Sequence, residues 1–221
     1  MKRIKPLVTG EVYHIFSRSI ADYKIFNSDG DYLRITNLLQ YYQIKEPPTR
    51  FSFFLKLPNV QRLGFQKYFL LIAENQNKLV EIIAYCLMPN HLHLILKQLK
   101  DKGISLYMGK LLNSYSHYFN IKHQRKGPLW ESKFKNVLVE DDDQLFHLTR
   151  YIHLNPVTSF LVERPQQWRY SSYSEYISKN RDQRITCADF LEINPLEYKK
   201  FVEDQISYQR ELARIKKLIL D

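Results

Sequence analysis

The sequence predicts an α+β fold with a ferredoxin-like β-α-β-β-α-β core, and three observations carry that expectation. Alternating and 3–4-spaced apolar patterns follow one another in that order along the chain. A Met88-Pro89-Asn90 turn joins two adjacent strand patterns into a hairpin. Hydrophobic residues make up 44% and charged residues 25% of 221 residues, with only 6 Gly and 9 Pro, so the chain can bury a core and is neither disordered nor fibrous.

Residues 11–17, EVYHIFS, alternate and are rich in β-branched and aromatic types, which predicts the first strand. Asn27 to Asp31 supply turn and N-cap residues. Leu33, Ile35, Leu38, Leu39 and Tyr42 then mark the apolar face of a helix that Pro47-Pro48 stops. Residues 46–77 read as an insertion, in which Phe65 to Leu71 could form a second helix. Strands follow at 78–86 and 91–97, then a helix at 104–120 with Ile104, Met108, Leu111, Leu112, Tyr115, Tyr118 and Phe119 on its apolar face. A basic connection, His123 to Gly127, leads to a fourth strand at 134–139. Glu140 to Asp143 open a further helix, their charge complementing its dipole, and the helix is expected to end near Asn155-Pro156. The domain is expected to span 1–178, with a helical extension at 179–221 marked by Phe190, Leu191, Tyr198, Phe201, Ile206, Leu212, Ile215 and Leu218.

The 33 Lys and Arg against 23 Asp and Glu give a net charge of +10, and 14% of residues are aromatic. A basic, Tyr-rich surface suits a polyanion whose bases can stack. Two cysteines far apart, Cys86 and Cys187, make neither a disulfide framework nor a Cys-rich zinc site and fit a reduced, cytoplasmic setting. No apolar leader core and no stretch of about 18 apolar residues is present, so neither a signal peptide nor a membrane span is expected.

Two stretches carry chemistry. His91 and His93 lie two apart in a strand pattern, so both imidazoles project from one face, roughly 7 Å apart at their roots, while Leu92, Leu94 and Leu96 face the core. Two such imidazoles can converge on one divalent cation, although exposed strand histidines are the commoner outcome of so short a pattern. Tyr151 and Asn155, four apart on a helix, share a face and could supply a nucleophile and an amide oxygen. The plain alternative is a packing Tyr and a helix-terminal Asn. His147 lies four before Tyr151 and is more simply a solvated histidine. His153 is out of phase with Tyr151 and is expected to pack, and His14 could lie near the metal or be structural. Tyr115 and Tyr118 fit core positions.

The blocks Met88-Pro89-Asn90-His91-Leu92-His93-Leu94-Ile95-Leu96 and Arg150-Tyr151-Ile152-His153-Leu154-Asn155-Pro156-Val157 resemble the His-hydrophobic-His and tyrosine-helix blocks of single-tyrosine HUH transposases, in the REP-associated form. Tyr13 to Arg18, Leu129 to Lys135 and Trp168 to Tyr173 add to the likeness, which covers roughly 8–176 outside the insertion. The resemblance implies a transposase that cleaves and rejoins single-stranded or hairpin DNA, with Tyr151 forming a 5′-phosphotyrosine link. His91, His93 and Asn155 would hold Mg²⁺ or Mn²⁺; many relatives carry Gln where this chain has Asn155. It leaves monomer and homodimer both open, and equally a domesticated protein that processes chromosomal repeats without mobility. For DNA contact the sequence offers Arg18, Lys110, His123, Arg125, Lys126, Lys133 and Lys135, with Trp130 as either a base-stacking or a packing residue.

Overall fold

The computed structural model describes residues 6–73, 77–178, 185–186 and 194–220. Strands β1 (Val12–Arg18), β2 (Val80–Met88), β3 (His91–Gln98) and β4 (Lys135–Leu138) form one antiparallel sheet in the order β2-β3-β1-β4. Helix α1 (Asp29–Tyr41) follows β1 and α5 (Gly103–Lys122) follows β3, which gives the expected β-α-β-β-α-β core. The insertion forms three short helices, α2 (Phe51–Phe54), α3 (Pro58–Leu63) and α4 (Phe65–Ala73). The aromatic rings of α2 and α4 pack on one another and on Tyr41 of α1, with Phe51 and Phe54 centroids 5.1 and 4.8 Å from Tyr41. Beyond β4 come α6 (Asp142–Thr158), α7 (Tyr173–Ile177), α8 (Pro195–Glu203) and α9 (Ile206–Leu220). The tail residues Cys187, Phe190 and Leu191 lie outside the described residues.

Local chemistry explains the boundaries. Ser28 caps α1 in a reciprocal capping box with Asp31. Asp141 caps α6 by accepting from Gln144 N at 2.7 Å, so the acidic run opens a helix as the sequence suggests. Gly103 starts α5 where nothing larger fits: a Cβ there would lie 2.3 Å from the Leu79 carbonyl oxygen.

Each strand face has its own core. Tyr13, Ile15, Leu92, Leu94 and Leu96 pack with Ile35, Leu38, Leu39, Tyr107, Leu111 and Tyr115 of α1 and α5. The histidine-bearing face is covered as well. Ile83, Ala84, Cys86, Met88 and Ile95 pack there with Leu145, Ile152 and Val157 of α6, Tyr173 and Tyr176 of α7, and Tyr198 and Val202 of α8. An irregularity in β2 between Ile82 and Ala84 turns both Ile83 and Ala84 toward this second core.

Helix α6 also corrects an expectation. It runs through Pro156 to Thr158 rather than ending near Asn155. Proline has no N–H to offer the Ile152 carbonyl, but only the last turn follows it. Ser159 N donates to Asn155 O and Leu161 N to Pro156 O, both at 3.0 Å, and the burial of Asn155, Pro156 and Val157 holds the segment in place.

Candidate active site

Strand register assembles the site. Arg18 pairs with His91 and Phe16 with His93 across β1 and β3, while Phe16 pairs with Lys135 of β4. Side chains of one face therefore line up in rows across the sheet. Helix α6 crosses the same end of that face and brings Tyr151 and Asn155 over the rows. Arg18, His91, His93, Lys135, Tyr151 and Asn155 line one cleft of about 440 Å³, together with Phe16, Ser17, Glu131, Ser132 and Ser159. All belong to one chain.

The Tyr151 ring stands edge-on to His93 and His14, with centroids 5.9 and 6.4 Å away, and the side chain is 52% exposed. His91 and His93 have ring centroids 5.0 Å apart and nearly perpendicular planes. His93 is 8% exposed, and its Nδ1 meets Nε2 of His14 at 3.0 Å. Nδ1 of His91 meets Oδ1 of Asn90 at 2.6 Å.

Burial draws the His91 pKa down to about 4, an effect the Arg18 guanidinium adds to and Asp22 opposes. Burial likewise lowers His14 to about 4, and it holds His93 well below the usual histidine range with help from His91, His14 and Arg18. The three rings are thus neutral near pH 7, the state in which an imidazole can be a ligand. Among the described residues no group of three or more His, Cys, Asp or Glu side chains gathers as a metal site. A cation here would need oxygen from Asn155, substrate or water besides the two imidazoles.

The remaining candidates fall into three places. Arg18 and Lys135 reach the cleft; Arg18 also pairs with Asp22 at 3.1 Å, and Lys135 lies 5.9 Å over the Phe16 ring. Lys133 lines a separate groove of about 770 Å³ along α5, which the edge of Trp130 also borders. Trp130 itself is a packing residue: it is 8% exposed and its indole N–H donates to Leu112 O at 3.3 Å, which leaves little ring to stack on a base. Lys110, His123 and Arg125 are turned to internal contacts. Lys110 Nζ donates to Lys45 O at 2.8 Å, and His123 packs 4.3 Å from Phe119. Arg125 donates to Asn120 Oδ1 at 3.0 Å and Pro128 O at 2.8 Å. Lys126 is exposed in the same connection.

The rival residues resolve on geometry. His147 contacts Arg150 at 2.8 Å and Asp143 at 3.7 Å and lines a neighbouring cleft between α6 and α9, not the histidine cleft. His153 is fully buried between Tyr198 Oη at 2.6 Å and Ser172 Oγ at 2.8 Å. Tyr115 donates to Ile25 O at 2.6 Å from the core, and Tyr118 donates to Asp31 Oδ1 at 3.0 Å. His14, left between two readings by the sequence, sits in contact with His93. Glu131, the carboxylate among the cleft-lining residues, was missed as a site residue; its only sequence signal was its place in the Leu129 to Lys135 block.

Comparison with known proteins gives three findings. The family described as "Transposase IS200 like" matches residues 64–155, a span that holds both His91–His93 and Tyr151–Asn155. A curated protein of Haemophilus influenzae, named for the REP-associated tyrosine transposases, is 29% identical over an alignment of 103 positions that covers 42% of this chain. The chain thus spans 58% of that relative's length. A solved structure of a REP-associated tyrosine transposase bound to a REP hairpin matches with a TM-score of 0.54 and 13% identity, covering 85% of this chain and 93% of that one. That likeness shows the fold, and the resemblance drawn from the sequence stands with it.

Proposed function

We propose that this chain, a relative of the IS200-like and REP-associated tyrosine transposases, cleaves and rejoins single-stranded or hairpin DNA with Tyr151 as its nucleophile. The observation that carries the reading is one cleft, within one chain, lined by His91, His93, Tyr151 and Asn155. A half-exposed phenol over two neutral imidazoles and flanked by Arg18 and Lys135 suits a phosphodiester.

His91, His93 and Asn155 would hold Mg²⁺ or Mn²⁺, and the donor set fits such an ion: two neutral rings and an amide oxygen. When bound, the ion would polarise the phosphate oxygens. Tyr151 Oη attacks phosphorus, the P–O3′ bond breaks, and a 5′-phosphotyrosine remains beside a 3′-hydroxyl. The phenolic proton passes to the departing oxygen through solvent. A free phenol ionises near pH 10, so its phenolate costs about 4 kcal/mol to form at pH 7. Phenolate is a better leaving group than an alkoxide, so a 3′-hydroxyl can reverse the link without a nucleotide cofactor.

The test is Tyr151→Phe incubated with labelled hairpin DNA bearing a single-stranded flank, in Mn²⁺. Covalent adduct on a denaturing gel should vanish while DNA affinity changes by less than roughly threefold, because only one oxygen is removed. Undiminished adduct rejects Tyr151.

A further inference from the structure

The hydrogen bonds around His91 determine where its proton lies. Asn90 Nδ2 donates to Asp22 Oδ1 at 3.1 Å, and a carboxylate can only accept. The Asn90 amide must therefore turn its nitrogen to Asp22 and its oxygen to His91. That oxygen lies 2.6 Å from His91 Nδ1, where a lone pair on the ring would repel it, so Nδ1 carries the hydrogen. In a neutral imidazole the lone pair is then on Nε2.

Asp22 is itself held in place. Arg18 Nη1 pairs with its Oδ1 at 3.1 Å. The Ile20–Asp22 turn keeps Ala21 at φ 49° and Asp22 at φ 53°, a left-handed backbone that non-glycine residues adopt at a cost. Ser19 N donates to Asn90 O at 2.8 Å, and Ile25 N donates to Pro89 O at 2.8 Å. The segment after β1 thus clamps the β2–β3 turn from which His91 departs.

We propose that Asp22 and Asn90 are positioning residues that hold His91 as the Nδ1–H tautomer, so that Nε2 offers its lone pair to a divalent cation in the cleft. The proposal rests on the cation reading above and adds two residues outside its ligand set. Neither touches the DNA or the ion; both act through His91. A ligating histidine whose other nitrogen donates to a fixed oxygen is the usual arrangement around protein-bound metals.

The experiment reads the proton directly and the ion separately. Long-range ¹H–¹⁵N spectra of the full chain without metal should show His91 as the Nδ1–H tautomer. Asn90→Ala should move it toward Nε2–H and weaken Mn²⁺ binding, followed by electron paramagnetic resonance, by roughly 10–100-fold. Asp22→Ala frees the amide to turn over and should move both readouts the same way. Combining Asp22→Asn with Asn90→Asp restores the donor and acceptor order, and should return the tautomer and bring Mn²⁺ affinity to within roughly threefold of the parent. A merely structural role would lower the melting temperature without this rescue. An Nε2–H tautomer in the parent overturns the proposal, and so does an exchanged pair no better than Asn90→Ala. If the single variants fail to fold, the parent tautomer and the exchanged pair still decide it. Should the parent bind Mn²⁺ no more tightly than His91→Ala combined with His93→Ala, the cation reading fails and takes the purpose of the relay with it; the tautomer then shows whether the relay itself was misread.

Discussion

Lowering the pH from about 7 to about 5 should destabilise the folded chain by about 2 kcal/mol through His153 alone. This ring is buried between α6, α7 and α8, with Nδ1 against Tyr198 Oη and Nε2 against Ser172 Oγ. Tyr198 passes its own hydrogen to Thr149 Oγ1 at 3.0 Å, and Thr149 passes its hydrogen to Phe146 O at 2.7 Å. The Tyr198 oxygen is thus set to accept from Nδ1–H, and the neutral ring satisfies the network. Burial lowers the pKa from 6.5 to about 3, so the unfolded chain binds a proton that the folded chain refuses. The stability from this group is complete above about pH 6.5 and is lost as the pH falls toward 3, at about 1.36 kcal/mol per unit. Urea unfolding across that range, on the parent and on His153→Gln, isolates the effect. His14, His91 and His93 shift in the same direction but are present in both proteins. The variant's stability should depend on pH less steeply by about 1.4 kcal/mol per unit below about pH 6.5. Parallel curves for the two proteins would mean that His153 is already protonated or solvated in the fold, and the burial argument would be wrong.

Three other substitutions follow from the geometry of the fold and the cleft. Gly103→Ala drives a methyl to 2.3 Å from the Leu79 carbonyl oxygen, and neither backbone can yield cheaply. It should cost about 2–3 kcal/mol and lower the melting temperature by roughly 5–10 °C in a thermal scan. Lys135→Ala removes an exposed cation from the cleft, and the salt dependence of single-strand binding, measured by fluorescence anisotropy, should flatten by about 0.7 in log–log slope. Arg125→Ala should leave that slope unchanged, because its guanidinium is spent on Asn120 and Pro128.

The order of the core elements was legible because each carries its own local signal. Alternation marked β1 and β3, spacings of three and four marked α1 and α5, N-cap residues marked the opening of α1 and an acidic run that of α6. The second core was not legible. Periodicity reports that a face is apolar, not what covers it, and Ile83, Cys86, Met88 and Ile95 meet α6, α7 and α8 from far along the chain. Pro156 misled for a related reason: its local preference is overruled by the packing of the residues around it. Trp130 was equally open as a stacking or a buried ring until its neighbours were placed.

Residue identity and spacing marked two pairs, His91 with His93 and Tyr151 with Asn155, since a two-residue strand step and a four-residue helix step each fix a shared face, and the family resemblance joined the two pairs into one expected site. Which other groups meet them depended on strand register and on the path between β1 and α1. Register set His14 against His93 and Lys135 beside Phe16, and the left-handed turn swung Asp22 onto Asn90. Contacts between residues tens of positions apart carry no local pattern, because they are decided by how separate elements pack, and so only the folded chain contains them.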